Sequence, residues 1–365
     1  MPANKYLFVT NSLTSGGAER VVSILASGMA EKGYDVHLIL YERMNNEYPI
    51  SDKVKLHLLP KRNGENKIYY YTQKFLVMRK MIHEIDPDII IPFLPDQVNH
   101  FYLASRFMKI PFIFTVRNNP FLYPESKMMR WIGKIVALLS TGIFLQTEEQ
   151  AEFFPKFVRK KMIVVPNPVS SVLIDCNYQR REFITEIATF GRLSAQKNQR
   201  LLIQAFAIVY KTNRSLRLNL YGEGEEENNL KDLVKKLGIE DVVAFKGRVS
   251  NVADELMSTD LFVLSSNYEG MPNALLEAMA VGLPCISTDC PTGPKDLIQN
   301  KENGILIKSN EVDELVSAIN YCLENPLFCQ EAGRAAKKKV KEEFQIDIVI
   351  DSFKREINQL IENGV

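Results

Sequence analysis

The chain has 365 residues, 46% of them hydrophobic and 24% charged, and a formal net charge of +1. Such a composition supports a sizeable core and excludes a disordered chain; a near-neutral total gives no reason to expect nucleic acid as a partner. The total conceals a division, because residues 1–170 carry 22 Lys/Arg against 15 Asp/Glu while the remainder carries 23 against 29.

A single core stops growing near ~250–300 residues, so length and charge asymmetry both predict two domains. The first 168 residues alternate short apolar runs with amphipathic ones, the rhythm of a parallel α/β sheet. Strands are expected at 5–11, 35–42, 54–60, 88–93, 111–116, 142–146 and 162–165, and helices at 16–32, 67–85, 97–108 and 125–138. Pro166-Asn167-Pro168 and the polar stretch to about residue 184 read as an interdomain linker. From 169 to 345 the rhythm restarts. Strands fit 186–190, 216–221, 242–246, 261–264, 284–287 and 304–307, and helices fit 196–211, 225–237, 250–258, 272–281 and 310–324. The tail is helical, and its last part, 346–365, is expected to pack back on the first domain.

The start does not read as a signal peptide. No stretch reaches ~18 uncharged apolar residues, since Lys134 interrupts the nearest, Trp131 to Leu145. The five cysteines (176, 285, 290, 322, 329) form no CxxC pair. Reduced thiols in a cytoplasmic protein are therefore expected.

In open parallel sheets ligands sit at the carboxyl ends of strands, so the loops after each strand matter most. The strongest of these is Asn267-Tyr-Glu269-Gly270-Met271-Pro272-Asn273-Ala274-Leu-Leu-Glu277. Pro272 sits where a first helical residue belongs, which would leave the amides of 273–275 facing a phosphate. Glu269 precedes that helix end and Glu277 lies beyond it. A carboxylate suits a sugar or ribose diol because it accepts two hydrogen bonds. An ordinary amphipathic helix would show the same spacing. The second loop, Gly191-Arg192-Leu-Ser-Ala-Gln-Lys197-Asn198, places two cations where they could clamp a diphosphate; two exposed surface cations would look alike. The third, Ser12 to Arg20, contains Gly16 and Gly17 but is not GxGxxG, so a nicotinamide site is not indicated. Weaker signals are the turns at Gly222-Glu223-Gly224, at Gly247-Arg248-Val249 and at Pro291-Thr292-Gly293-Pro294. The four histidines form no HxxxH or HExxH and read as structural.

These residues, in this order, resemble the retaining glycosyltransferases of family 4, which have the GT-B fold: two Rossmann-like parallel-sheet domains facing across a cleft. The resemblance is strongest from Gly191 to Ile307 and is carried by GRLSAQKNQ together with EGMPNALLEAMAVGLPCIST. It implies a nucleotide-sugar donor, with UDP preferred, and no metal or other cofactor. Arg192 and Lys197 would hold the diphosphate, and Gly16 and Gly17 would close on it. Gly222 joins the donor set, Glu277 would hold the ribose, and the backbone near Val249 would meet the base. Glu269 and the segment Gly270, Met271, Asn273 and Ala274 would grip the donor sugar and phosphates. Arg192, Lys197 and Glu269 would thus form the catalytic set, with no protein nucleophile, because the donor phosphate takes the acceptor proton.

Family members often carry a histidine after the strand that here ends at Val116; this chain has Arg117-Asn118-Asn119. Arg117, Asn118 and His100 are candidate sugar or acceptor contacts. Residues 53–80 hold eight Lys/Arg and one acid, interleaved with Tyr69, Tyr70, Tyr71 and Phe75. A second basic group spans Lys127 to Lys134 and Lys156 to Lys161. Basic segments with aromatics predict peripheral contact with an anionic membrane, hence a lipid-linked or cell-surface glycan acceptor at the inner face. A soluble enzyme acting on a small molecule or protein, or a non-catalytic nucleotide-sugar-binding protein, are the other readings.

Overall fold

A computed structural model describes residues 3–14, 16–45, 47–60, 67–179, 181–249 and 251–362, with the side chains of 67–71 left aside. The chain divides into two compact units, Met1–Pro168 with Ile346–Val365, and Val169–Gln345.

In the first unit the order is β1 (Lys5–Thr10), α1 (Gly17–Glu31), β2 (Asp35–Leu40), β3 (Lys55–Leu58), α2 (Lys67–Ile85), β4 (Ile89–Pro92), α3 (Pro95–Ser105), β5 (Ile113–Thr115), α4 (Lys127–Leu139), β6 (Gly142–Leu145) and β7 (Met162–Val164). The strands form parallel ladders in the order β3-β2-β1-β4 and β5-β6-β7, joined by a single bridge between Ile90 and Phe112. Pro111 lacks an N–H, so the ladder begins only after it, two residues later than the apolar run suggests. Helix α3 starts two residues before the expected Gln97, with Pro95 at its first position, and stops at Ser105, since Phe107 adopts φ +72°.

Strand β1 is buried along Tyr6–Val9, as a central strand covered on both faces must be. Helix α1 buries Val21, Val22, Leu25, Ala26 and Met29 along one stripe.

The second unit contains α5 (Ser171–Ile174), β8 (Glu186–Phe190), α6 (Gln199–Tyr210), β9 (Arg217–Tyr221), α7 (Glu227–Leu237), β10 (Val243–Gly247), α8 (Val252–Met257), β11 (Leu261–Leu264), α9 (Asn273–Val281), β12 (Cys285–Thr288), α10 (Pro294–Leu297), β13 (Ile305–Ile307), α11 (Val312–Glu324) and α12 (Pro326–Glu343). Its sheet runs β10-β9-β8-β11-β12-β13, all parallel. The strand order therefore reverses between β8 and β11, and a doubly wound sheet opens a crevice at that switch point.

The linker reading needs correction. The chain passes from the first unit to the second directly after Pro168, and returns between Gln345 and Ile346. From Val169 the chain is part of the second core: its amide donates to the Phe344 carbonyl at 2.8 Å, and Leu173 and Ile174 are buried with the residues of α9. The apolar pair Leu173-Ile174 supplied that anchor inside an otherwise polar stretch.

The last helix, α13 (Ile346–Glu362), belongs to the first unit. Its Val349, Ile350, Phe353, Ile357 and Leu360 are buried against that core, with Phe353 stacked on Phe8 (centroids 6.2 Å) and edge-on to Phe144 (5.1 Å). Spacing of i, i+1, i+4, i+8 and i+11 produces one apolar stripe, which needs a surface to cover it.

Candidate functional site

The loops after β8 and β11 flank the switch point of the second unit. Backbone contacts fix the first of them. The Gly191 amide donates to the Tyr221 carbonyl at 2.9 Å and the Leu193 amide to the Glu223 carbonyl at 3.0 Å. Gly222 (φ +130°) lies so close that a Cβ there would stand 2.0 Å from the Gly191 oxygen. The turn at Gly222 is thus a clamp on the cation-bearing loop, and no other residue fits it.

The two loops are also stitched to each other. The Asn267 amide donates to the Gln196 carbonyl and its side chain to the Ala195 carbonyl, both at 2.8 Å. Asn198 takes a left-handed conformation (φ 47°) and donates to Asn267 Oδ1 and Asn310 Oδ1. That conformation is why α6 starts at Gln199, three residues later than the pattern predicts.

This scaffold brings Lys197 and Glu269 into contact, Nζ to Oε1 at 2.6 Å, with the carboxylate buried and the ammonium partly accessible. Sequence reasoning missed two residues that hold Glu269, one at its carboxylate and one at its backbone. Ser266 Oγ donates to the same Oε1 at 2.5 Å, and Thr292 Oγ1 donates to the Glu269 carbonyl. Ser266 carried no signal; Thr292 lies in the Pro-Thr-Gly-Pro turn, one of the weaker signals. That turn buttresses the Glu269 loop, since a Cβ on Gly293 (φ +92°) would stand 2.1 Å from the Gly270 oxygen. Nearby Cys290 has its thiol pushed up to about 12 by burial and by the Glu269 charge, so it is not a nucleophile at neutral pH.

Pro272 is the N-cap of α9 and not its first helical residue. The first intrahelical amide to reach back is Leu276, donating to the Pro272 carbonyl at 3.1 Å. The amides of Asn273, Ala274 and Leu275 precede it and have no acceptor within the helix, so the partial positive end of the helix dipole is directed to the loop. Gly270 and Met271 are buried within that loop, and Glu277, on α9, is buried at the same helix end. Arg192 is exposed and its guanidinium pairs with no described residue. Val249 follows β10 and packs on the cluster containing Phe190 and Tyr221, whose rings stack at 4.2 Å.

In the first unit, Gly16 caps α1 at φ −112°, a conformation open to any residue, and Gly17 is the first helical residue. The paired glycines are therefore not demanded by backbone conformation. His100 faces the Tyr41 hydroxyl through Nδ1 at 3.2 Å, and burial beside Lys74 holds its pKa below the usual histidine range. The Asn118 carbonyl accepts from Gln150 Nε2 at 3.1 Å, and its Oδ1 accepts from the Asn119 amide at 2.8 Å. The Arg117 guanidinium lies over the Phe93 ring, 4.2 Å from its centroid.

Several described cations of the basic segment 53–80 have partners within the protein. Lys53 pairs with Glu31 and Lys55 with Asp35, Lys74 is buried over the Tyr41 ring, and Arg79 donates to the Ala104 and Arg106 carbonyls. Lys61, Arg62, Lys67 and the three tyrosines lie outside the described positions and side chains. Lys161 is also withdrawn, donating to the Leu138 and Ser140 carbonyls at the end of α4. Arg130 donates to the Leu122, Pro124 and Glu125 carbonyls and Lys134 lies over the Phe153 ring, while Lys127, Lys156, Arg159 and Lys160 are exposed. Met128, Trp131 and Leu139 of α4 are more than half exposed, as is Phe157, near exposed Lys127, Lys156, Arg159 and Lys160. Among the described residues, no helix is long and apolar enough to cross a membrane.

Fold and site together define an α/β protein of two Rossmann-like units whose second sheet directs two cations, a buried carboxylate and a helix N-terminus at its switch point. Two family descriptions match the sequence: "Glycosyltransferase Family 4" over residues 15–171 and "Glycosyl transferases group 1" over residues 182–339. An uncharacterized glycosyltransferase of Haemophilus influenzae is 28% identical over 352 residues, covering 95% of this chain and 98% of the relative. A Campylobacter jejuni enzyme that is an α-1,4-N-acetyl-D-galactosaminyltransferase acting on a diphospho-undecaprenol-linked glycan is 27% identical over 364 residues, covering 98% of each. The crystal structure of Anabaena HepE with UDP and glucose superposes with a TM-score of 0.82 at 18% identity, covering 97% of this chain and 99% of that one. The chain belongs to the glycosyltransferases of the GT-B fold.

Proposed function

We propose that this protein transfers a hexosyl or N-acetylhexosaminyl group from a nucleotide sugar, UDP-linked, to a lipid-linked or cell-surface glycan, with retention of anomeric configuration. The observation that carries the reading is the buried Lys197–Glu269 pair at the switch point, beside the N-terminus of α9.

Breaking the anomeric C–O bond leaves negative charge on the departing diphosphate. Arg192 offers an unpaired fork to it, Lys197 a point charge, and α9 its amides, so the charge develops against donors already in place. Glu269 is held by Lys197 and Ser266 and presents an acceptor to a donor-sugar hydroxyl. Glu277 takes the ribose, Val249 the base, and Gly222 keeps the loop shaped. The acceptor proton passes to a donor phosphate oxygen, so no protein nucleophile is assigned, and with these cations the transfer proceeds without a divalent metal. Arg117, Asn118 and His100 contribute to the sugar or acceptor side.

Peripheral membrane contact at the inner face of the cell membrane is part of the proposal. It rests on Trp131, Met128 and Phe157 beside Lys127, Lys156, Arg159 and Lys160, a pattern suited to anionic lipid headgroups. The polyprenol-linked substrate in the Campylobacter relative's name supports the same side.

A panel of nucleotide sugars screened by thermal shift tests the donor assignment. UDP-hexoses should raise the midpoint and GDP- or ADP-hexoses should not. NMR of the product reads the anomeric configuration, and turnover in EDTA reads the metal requirement. Flotation with vesicles containing phosphatidylglycerol tests the membrane contact; failure to float at low salt removes it.

A further inference from the structure

The residue after β5 carries a second charge feature that the donor chemistry does not use. Arg117 stands at the carboxyl edge of the first sheet, with its guanidinium over the Phe93 ring. Its Nη1 reaches Asn167 Oδ1 only at 3.5 Å, and that oxygen already accepts from Gln146 Nε2 at 2.8 Å. Nε and Nη2 are buried and have no hydrogen-bond partner, and no described carboxylate lies within ion-pair distance. Burial pushes the guanidinium pKa down to about 9, so it remains charged at neutral pH.

A buried cation is unfavourable unless an opposite charge meets it. The position of the unfilled donors is informative. Nε–H and Nη2–H lie on the same edge of the guanidinium and point in parallel, the fork that matches two oxygens of one carboxylate or phosphoryl group. Phe93 covers one face of that plane, and Nη1 is turned to Asn167, so the Nε/Nη2 edge is the one whose donors remain unfilled. Thr10, at the end of the β1 strand whose Val9 carbonyl accepts from the Phe93 amide, also has a buried hydroxyl without a partner. A neutral sugar hydroxyl would satisfy one donor and leave the charge uncompensated.

We infer that Arg117 is the receptor for an oxyanion carried by the substrate that binds the first unit, a sugar carboxylate or a phosphoryl group. This rests on the glycosyltransferase reading for which substrate delivers the anion, but not for the anion site itself.

The test uses the full chain saturated with UDP, so that the diphosphate site of the second unit is filled. Sodium glucuronate, inorganic diphosphate and glucose are then titrated by calorimetry into the wild type, Arg117→Met and Arg117→Lys. The wild type should bind at least one of the two anions and show no comparable response to glucose. Arg117→Met should weaken that binding by about tenfold or more, as expected for loss of a charged bidentate contact. Arg117→Lys, which keeps the charge but not the fork, should weaken it by several-fold. UDP affinity should be unchanged in both variants. Glucuronate binding identifies a sugar acid, and diphosphate binding a phosphoryl group. Equal binding of the anions by wild type and both variants overturns the proposal, as does a wild type that responds to neither anion. Loss of UDP binding by the wild type would instead count against the donor assignment while the anion result stands on its own.

Discussion

The carboxyl edges of the two sheets handle charge in opposite ways. In the second unit, Lys197 and Glu269 neutralise each other at 2.6 Å, and Ser266 and Thr292 complete the arrangement from within the protein. In the first unit, Arg117 is half-buried, with Nε and Nη2 buried and unfilled, the Phe93 ring beneath the guanidinium and Asn167 at the edge of reach. The first arrangement is held from within the protein, the carboxylate being fixed by Lys197 and Ser266 without any ligand, which is the kind of preorganisation that electrostatic stabilisation of a transition state requires. The second is incomplete without a ligand, so its energy is realised on binding.

Substitutions can break this contrast. The largest effect is expected at the preorganised pair: Glu269→Ala or Lys197→Ala should lower turnover by roughly 10²-fold or more, measured with any accepted donor, because each removes a contact to developing or transferred charge. Unchanged turnover in both variants would falsify the site assignment. Next is the clamp. Gly222→Ala should destabilise the second unit by about 1–3 kcal/mol in urea unfolding, since the Cβ meets a backbone oxygen and the φ is left-handed.

Arg117→Met should act with the opposite sign on stability. Removing a cation whose buried donors are unfilled should raise the urea midpoint, corresponding to a gain of about 1 kcal/mol in unfolding free energy. A drop in the midpoint would mean the charge is satisfied within the protein.

A smaller effect concerns pH. His37 Nδ1 and His57 Nε2 stand 2.9 Å apart with the rings stacked, and burial, with nearby cations, holds both pKa values below the usual range. The unfolded chain therefore binds protons that the folded one resists. Stability is full above pH ~6.5 and is lost as pH falls toward the lowered folded values. Thermal scans should show a midpoint ~2–4 °C lower at pH 5 than at pH 7 for the first unit, and His57→Gln should flatten that dependence. The smallest effect is expected at Gly16→Ala, where the new methyl meets only the flexible Glu19 side chain; stability should change by less than about 0.5 kcal/mol.

Much of the site was legible from order and spacing. Lys197 and Glu269 were singled out because both follow strands that end at one sheet edge, and the rule for open sheets locates ligands there. The buttressing roles of Thr292 and Gly293 were not legible, because each depends on a contact between loops more than 20 positions apart, while the Ser266 contact, only three positions from Glu269, depends on how that loop folds. The partners of the cations in 53–80 were not legible for a related reason. Composition counts charges but not their partners, and Glu31 and Asp35, which pair with Lys53 and Lys55, lie outside that window.

The sequence by itself determined the two α/β halves, the parallel character of their strands and which loops follow the strands at the switch point, because period, turn residues and strand-end position are local properties. Only the tertiary structure decided which charges are paired. It took Lys74 and Lys161 out of the basic surface, joined Lys197 to Glu269, and left Arg117 with an empty fork. A charge acts through what lies within a few ångströms of it, and that neighbourhood is assembled from distant parts of the chain.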